Sequence, residues 1–448
     1  MRIFSLFILC LAVTSSLFSQ QFGYVANSIG DSISILDVEN NKTVGYVNNN
    51  SFNIAHPVQV MFNPSRKKAY VVSDVVHSVF IIDPGTNTIT GKVDDSLFPF
   101  SAPSSIDITP DGLKAYVTNE SSNNVSIIDL TTNTVIGNVN VGGFPFNLPV
   151  SVTIDRLGVK AYVTNFNGNT VSVIDIATNT VIKYVTTTIS TPFSQPFHIG
   201  FIGTTKVYIT NINGPPAQGV SIVDYATDTV TGYVNPGAFP FFNPKNLLIG
   251  TIQPLAYIEN GFNSLVSIVN LATDTVLGYY PYLTFNSPDS AHLTFDGRFL
   301  YVVNKGSNLI NIIDSVTTLP VTSVDSSAFP LNGPSSIDMS PFIVSPPAPS
   351  PVPLPTNFQG VKKKNRFATQ ADLVNIITWD PPSSSNIVVS YKIYRDVALM
   401  DLAATVPMCA PLEFEDHNRR KGQTYNYFIV AIYADGSISG AATVSLTW

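Results

Sequence analysis

Seven tyrosines constrain the fold of this chain more than any other feature. "GYVANS", "AYVVSD", "AYVTNE", "AYVTNF", "VYITNI", "AYIENG" and "LYVVNK" place them at Tyr24, Tyr70, Tyr116, Tyr162, Tyr208, Tyr257 and Tyr301, with spacings of 46, 46, 46, 46, 49 and 44 residues. Self-similarity at such a period marks a repeat architecture, in which each unit buries its apolar surface only against its neighbours.

Each unit holds four short runs rich in Val, Ile, Thr and Tyr, punctuated by Asn, Asp, Gly and Pro. In the third unit these are "AYVTN", "NVSIID", "NTVIGNVN" and "PVSVTID". That composition and punctuation predict four strands per unit and no helix of useful length. The residue three after each tyrosine is Asn27, Ser73, Asn119, Asn165, Asn211, Asn260 or Asn304, which suits a strand-ending turn with positive φ. The second run ends in Asp37, Asp83, Asp129, Asp175, Asp224 or Asp314, with Asn270 in the sixth unit, and is expected to close an Asx-type turn. One carboxylate per unit falls well short of a calcium site.

The phase of the repeat separates a ring from an open stack. The array begins on the tyrosine strand and ends with "GPSSIDMSP", residues 333–341, which matches "APSSIDITP", residues 102–110. The N-terminal side then supplies three strands and the C-terminal side the fourth, which closes a ring and removes exposed edges. The expected fold is all-β: a seven-bladed β-propeller over residues 20–341, followed by a β-sandwich.

The wording "AYVTN…NTVSVIDIATNTV" at 161–181 resembles the YVTN family of β-propeller repeats, found in exported and surface proteins of bacteria and archaea. The resemblance extends over all seven units. It implies the fold strongly and the activity weakly, since such propellers include adhesin-like proteins, binding scaffolds and lactonase-like enzymes.

The flanks divide the chain further. "MRIFSLFILCLAVTSSLFSQQ" reads as a secretory signal peptide over residues 1–19, and the mature protein is expected to be secreted, periplasmic or on the cell surface. Leu9 before Cys10 argues against lipidation. No later segment has the roughly 18 uninterrupted apolar residues of a membrane span. Only Cys409 remains after processing, which excludes an internal disulfide and a thiolate metal site. "PPAPSPVPLP" (346–355) makes residues 342–355 an extended proline-rich linker.

Residues 356–448 resemble a fibronectin type III domain. Trp379 matches its buried strand tryptophan, Tyr391 lies in the third strand, and Tyr425 falls at the tyrosine corner. Trp448 reads as the end of the last strand. No RGD triplet is present, and "KKKNR" (362–366) reads as a solvated loop. The net charge of -7 leaves no broad basic surface, so nucleic acid is not an expected partner.

The inner strands each start at a proline. Two residues on come Gln59, Ser105, Ser151, His198, Asn246 and Ser336, with His292 filling the slot if two extra residues are allowed in its loop. Two further on come Met61, Asp107, Thr153, Gly200, Leu248, Thr294 and Asp338. The positions between are apolar: Val60, Ile106, Val152, Ile199, Leu247, Leu293 and Ile337. Alternation of period two therefore turns one polar face toward the channel. The candidate lining is Gln59, Ser105, Ser151, His198, Asn246, His292 and Ser336, with Asp107 and Asp338 deeper and His56 at the mouth. Histidines with carboxylates suit a divalent metal or acid–base work; a water-filled channel of satisfied polar groups is the simpler reading.

No cofactor is expected. The propeller has no tryptophan for the repeated docking pattern of quinone-cofactor propellers. No glycine-rich phosphate loop and no Gly-x-Ser-x-Gly elbow occurs. Loops such as "LFPFSAP", "GFPFNLP", "AFPFFNP" and "AFPLNGP" align instead. Three residues before each proline come Ile54, Phe100, Phe146, Phe193, Phe241, Phe285 and Leu331. A slot apolar in every unit fits packing between blades, whereas variable neighbours such as Asn147, Asn243 and Lys245 suit specificity. The favoured function is a non-enzymatic binding protein engaging a protein or polysaccharide at the cell envelope. The alternatives are a channel-centred, lactonase-like hydrolase using His198, His292 and Asp107 or Asp338, and a structural surface-layer element.

Overall fold

The computed structural model describes residues 22–187, 193–215, 218–250, 253–280, 285–294, 296–339, 355–367, 370–382, 388–395, 402–407, 411–417, 419–433, 439 and 442–448. The expected signal peptide and nearly all of the linker lie outside these residues, as do Cys10 and Cys409. The chain divides into two compact units, one formed by residues 20–343 and the other containing residues 344–448. Every regular element described in either unit is a β-strand.

The first unit is a β-propeller. Its strands form seven antiparallel sheets, six of four strands and one with a short fifth strand, Thr186–Thr187, added in parallel. In the first sheet, Pro334–Met339 pairs with Phe22–Asn27, followed by Ser32–Asp37 and Lys42–Tyr46. Gly23 faces Met339 and Val25 faces Ile337, so the end of the repeat array completes the sheet that its beginning opens. The other inner strands are Pro57–Phe62, Pro103–Ile108, Pro149–Ile154, Pro196–Ile202, Pro244–Ile249 and Pro288–Leu293.

The anchor tyrosines stitch each sheet to the next. Their rings are buried and their hydroxyls donate across the gap: Tyr24 to Asn87 Oδ1 at 2.6 Å, Tyr70 to Asn133 Oδ1 at 3.0 Å, and Tyr162 and Tyr208 to the carboxylates of Asp228 and Asp274. Tyr301 Oη donates to Asn41 Oδ1 at 2.5 Å, carrying the pattern from the seventh sheet back to the first. Each acceptor sits at positive φ in the turn before an outer strand, a conformation that Asn and Asp tolerate. A buried hydroxyl with a partner avoids the penalty of an orphaned polar group.

The asparagines after the tyrosines work differently from the turn role expected of them. They are not in the left-handed region; they end their strands fully buried. Asn119 Nδ2 donates to Ser126 Oγ at 2.8 Å on the next strand, while its Oδ1 accepts from Ser101 N at 3.1 Å in the loop before the inner strand. Asn165 and Asn260 repeat both contacts. The run-ending aspartates do close Asx turns: Asp129 Oδ1 accepts from Thr131 N at 2.8 Å, and Asp175 Oδ1 from Thr178 N at 2.8 Å. The hydroxyl and N–H of Thr131 hold the Asp129 carboxyl below the usual range, and the N–H and hydroxyl of Thr178 do the same for Asp175.

The loop phenylalanines split into two roles. Ile54, Phe100, Phe146, Phe193, Phe241, Phe285 and Leu331 are all buried in the clusters between sheets. The phenylalanines two residues earlier are less buried, and three of them meet outer-strand tyrosines edge-on: Phe144 on Tyr184 at 5.3 Å, Phe239 on Tyr279 at 5.5 Å and Phe329 on Tyr46 at 5.8 Å.

The second unit packs two sheets around one core. One contains Thr356–Phe367, Gln370–Asp380 and Glu413–Asp416; the other contains Leu402–Pro407, Val388–Tyr394, Thr424–Tyr433 and Ala442–Thr447. Trp379 meets Tyr391 edge-on at 5.4 Å in this core. Tyr425 Oη accepts from Arg420 N at 2.8 Å. Trp448 follows the last strand and donates from Nε1 to Asn375 Oδ1 at 2.6 Å.

Candidate functional site

The inner strands bring the expected channel residues together, and most of them are occupied in holding the ring. Gln59 Oε1 accepts the N–H of Ile106 in the next sheet at 2.8 Å. Ser105 Oγ accepts from Val152 N at 3.4 Å, and Ser336 Oγ from Val60 N at 3.3 Å. One level deeper, Asp107 Oδ2 accepts from Ile154 N and Asp338 Oδ2 from Phe62 N, each at 2.7 Å. These side chains satisfy inner-strand N–H groups that antiparallel pairing within a sheet leaves open. Ser151 is buried, and Asn246 Nδ2 donates to the Asp289 carbonyl of the seventh sheet.

His292 is corrected by one level. The seventh inner strand starts at Pro288 facing Asn304, and Ser290 faces Val303, so Ser290 fills the slot assigned to His292. Ser290 Oγ accepts from Ile337 N at 3.4 Å. His292 takes the deeper slot given to Thr294, and Ala291 takes that of Leu293. Thr294 belongs to the following turn, where Oγ1 donates to Asp296 Oδ1 and accepts from Phe299 N, as Thr109 does with Asp111 and Lys114. No extra loop residues are needed. Thirteen residues separate Pro288 from Tyr301, as they separate Pro103 from Tyr116.

At that depth His292 Nε2 lies 3.0 Å from Asp338 Oδ1, and His292 Nδ1 lies 2.7 Å from its neighbour's carbonyl, Leu293 O. A carbonyl accepts only, so Nδ1 carries a proton. Arg66, at positive φ in the turn after the second inner strand, donates to Met339 O at 2.6 Å beside this pair. Asp107 is pushed up to about 7 by burial, which outweighs its two backbone donors, Ile154 and Ile108. His198 stands two sheets from His292. Its Nδ1 is buried without a hydrogen-bond partner, and burial lowers its pKa to about 4. Among the described residues, no group of three or more His, Cys, Asp and Glu is placed to hold a metal ion. His56 lies at the mouth with Nδ1 2.8 Å from Asp74 Oδ1.

The repeat is broken at one end of the ring. The residue before each inner-strand proline is at positive φ, from His56 to Gly333. Its N–H is usually capped by the turn of the preceding sheet: Leu148 N donates to Asn123 Oδ1 and Gly333 N to Asn308 Oδ1, both at 2.7 Å. The inner-strand loops and these turns therefore share one face, called here the loop face. In the fifth sheet this turn is three residues longer, which accounts for the 49-residue spacing. Asn211 reaches Ser221 ten residues on, where Asn165 reaches Ser172 after seven. The start of that turn, Ile212, Asn213 and Gly214, lines a shallow cavity of about 270 Å³ together with Phe241, Phe242, Asn243 and Phe262.

This cavity has the ingredients of a recognition site. Phe262 is 86% exposed and Phe242 39%, although both are large apolar groups. Asn243 Nδ2 reaches Ile212 O at 3.4 Å, and Asn213 Nδ2 reaches Gln195 Oε1 at 2.5 Å on the rim. Phe166 and Phe197 meet edge-on at 6.4 Å in the adjoining sheets of the same face. Sequence reasoning named Asn243 and Lys245 but missed Phe242, Phe262 and the buried Glu259. The signal for them was the interrupted period between Tyr208 and Tyr257.

No family model matches the chain, and no curated protein does. Solved structures resemble it in fold. The periplasmic gluconolactonase PpgL of Pseudomonas aeruginosa has a TM-score of 0.55 at 14% identity, covering 73% of this chain and 100% of its own. A functionally unknown protein from Desulfotomaculum acetoxidans has a TM-score of 0.55 at 15% identity, covering 71% and 98%. Kuenenia stuttgartiensis hydrazine synthase has a TM-score of 0.50 at 21% identity, covering 62% and 88%. At such identities the likeness speaks for the β-propeller fold alone, and these three differ in what they are named for.

Proposed function

We propose that this chain is an exported, seven-bladed propeller of YVTN-like repeats joined to a fibronectin type III-like module. In this reading it is a non-enzymatic binding protein that engages a partner at the cell envelope through the loop face. The observation that carries the reading is the aromatic and amide-lined cavity between the fifth and sixth sheets. It sits where the repeat is interrupted, whereas the polar channel residues are used to join sheets. Exposed aromatic rings with convergent amides suit a polysaccharide, whose C–H faces stack on rings and whose hydroxyls pair with amides. The test is binding of purified protein to envelope polysaccharides. Phe262→Ala and Phe242→Ala should each weaken binding at least about tenfold, the scale of a lost aromatic contact. Unchanged binding by both variants removes the loop face from the reading.

A second reading is a lactonase-like hydrolase. The His292–Asp338 contact at 3.0 Å favours it, as does the name of the Pseudomonas aeruginosa neighbour. A histidine held by a carboxylate can take a proton from a water that attacks the lactone carbonyl and return it to the ring oxygen as the acyl–oxygen bond breaks. Asp338 is already committed to the N–H groups of Phe62 and Met339, which favours an architectural role for it. Turnover of sugar lactones that disappears in His292→Ala would establish the hydrolase and displace the first reading.

A further inference from the structure

Next to the cavity, three slots of the repeat carry charge, and in two of them a lysine stands. The residue after the inner-strand proline is Val58, Val150 or Phe197 in the second, fourth and fifth sheets, but Lys245 in the sixth and Asp289 in the seventh. The residue after the buried asparagine of the seventh sheet is Lys305, where the fourth and fifth have Phe166 and Ile212 and the second and third have the acidic Asp74 and Glu120. The residue two after the anchor tyrosine is Thr118, Thr164 or Thr210 in the third to fifth sheets, and Glu259 in the sixth.

These residues form one cluster at the edge of the cavity. The Lys245 stem crosses Gly261, where an added Cβ would lie 3.1 Å from Lys245 Cε and 3.0 Å from the Asn243 Oδ1 of the cavity wall. Its ammonium lies 3.6 Å from Asp289 Oδ1, and that of Lys305 lies 4.0 Å from Asp289 Oδ2. Both lysine side chains are 31% exposed. Glu259 is 2% exposed, and its Oε2 has no hydrogen-bond partner. Burial, reinforced by Asp289, pushes its pKa up to about 8. At neutral pH two ammonium groups therefore share one carboxylate at long distances, and one positive charge is left over.

We propose that the loop face binds a carboxylated saccharide, with the sugar against Phe242 and Phe262 and its carboxylate at Lys245 and Lys305. This inference rests on the reading of the loop face as a saccharide site and adds the acidic class of the ligand. A neutral glycan makes no use of the surplus lysine charge, and a free carboxylate makes no use of the rings and amides. The two features adjoin across Gly261, so one ligand meets both.

The experiment measures binding of the full-length secreted protein to oligogalacturonate and to the same oligomer methyl-esterified, with oligoglucuronate and oligomannuronate as further acidic probes. Esterification removes the charge and keeps the sugar. At least one acidic probe is expected to bind about tenfold tighter than its ester, the scale of one charge-assisted contact. Lys245→Gln and Lys305→Gln should each abolish that preference while leaving the ester's affinity and the melting temperature unchanged. Phe262→Ala should weaken acid and ester alike. Equal binding of acid and ester, a preference that survives both lysine substitutions, or no binding of any acidic probe overturns the inference. Charge-independent saccharide binding that falls in Phe262→Ala overturns it and leaves the proposed function standing. Indifference to both Phe262→Ala and Phe242→Ala overturns both.

Discussion

Asp338 Oδ2 accepts the backbone N–H of Phe62 at 2.7 Å, joining residues 276 positions apart. The same carboxylate accepts from Met339 N at 2.8 Å and faces His292 Nε2 at 3.0 Å. Asp338→Ala leaves the N–H groups of Phe62 and Met339 without their acceptor inside the channel. It should destabilise the propeller by about 2–4 kcal/mol, the usual penalty for stranding buried polar partners. Asp338→Asn should also destabilise, because an amide has one acceptor oxygen where the carboxylate offers a separate oxygen to each of Phe62 N and Met339 N. Urea titration of the variants checks this, and a change below about 0.5 kcal/mol would show that the carboxylate does not hold the ring.

The pH dependence of stability has opposing parts. Asp107 and Glu259 are raised in the fold, to about 7 and about 8. A raised carboxyl favours the folded state most below its unfolded pKa, and that contribution is lost as pH rises through the folded value. His198 is lowered to about 4, so its contribution is present above the unfolded value and lost as pH falls toward 4. Between about pH 4 and 6.5 the histidine therefore offsets one carboxyl. Above pH 6.5 the carboxyls act alone, and stability should fall toward pH 8 at up to about 1.4 kcal/mol per pH unit for each proton. Glu259→Gln should flatten the upper part of this fall, between about pH 7 and 8. Melting curves across pH 4 to 9 provide the check; a parallel profile in the variant would contradict a buried, neutral Glu259.

Phe146 and Phe262 should separate packing from recognition. Phe146 is 4% exposed in a core cluster between sheets, and its slot is apolar in every unit. Phe146→Ala should cost about 3–5 kcal/mol through lost burial and the cavity left behind. Phe262→Ala should change stability by less than about 0.5 kcal/mol, as expected of a surface side chain. Paired melting and binding assays test the contrast, and a large stability loss in Phe262→Ala would return that ring to the core.

Much of this architecture was legible because it follows from repetition. Tyr116 and Asn119 recur at a fixed offset, Pro103 marks where an inner strand begins, and Phe100 sits in an invariant apolar slot. Register at His292 was misjudged because alternation alone does not count residues; the distance from Pro288 to Tyr301, the same as from Pro103 to Tyr116, does. The binding face was harder to see, since it depends on a three-residue expansion after Asn211 and on single departures such as Glu259 for threonine. Periodic patterns reveal what every unit shares, and a site is made of what one unit does not share. The role of Asp107 was hidden for another reason: a carboxylate reaching the N–H of Ile154 in the adjoining sheet leaves no mark on local spacing.

Ring closure depends on the last inner strand, and truncation isolates that dependence. Ile337 and Met339 are 4% and 1% exposed in a cluster with Val25 and Leu36 of the first sheet. Ser336 and Asp338 of the same strand supply acceptors to Val60 and Phe62 of the second. A chain of residues 20–341 keeps all of these contacts and should melt cooperatively. A chain of residues 20–333 loses them, exposes the apolar face of Val25 and leaves the N–H and C=O groups of Phe22–Asn27 as an open edge. Such an edge invites pairing with other chains. The shorter chain should therefore aggregate or melt at a clearly lower temperature, as read by size-exclusion chromatography and circular dichroism. Identical melting of the two chains would mean that the strand Pro334–Met339 decorates the first sheet without closing the ring.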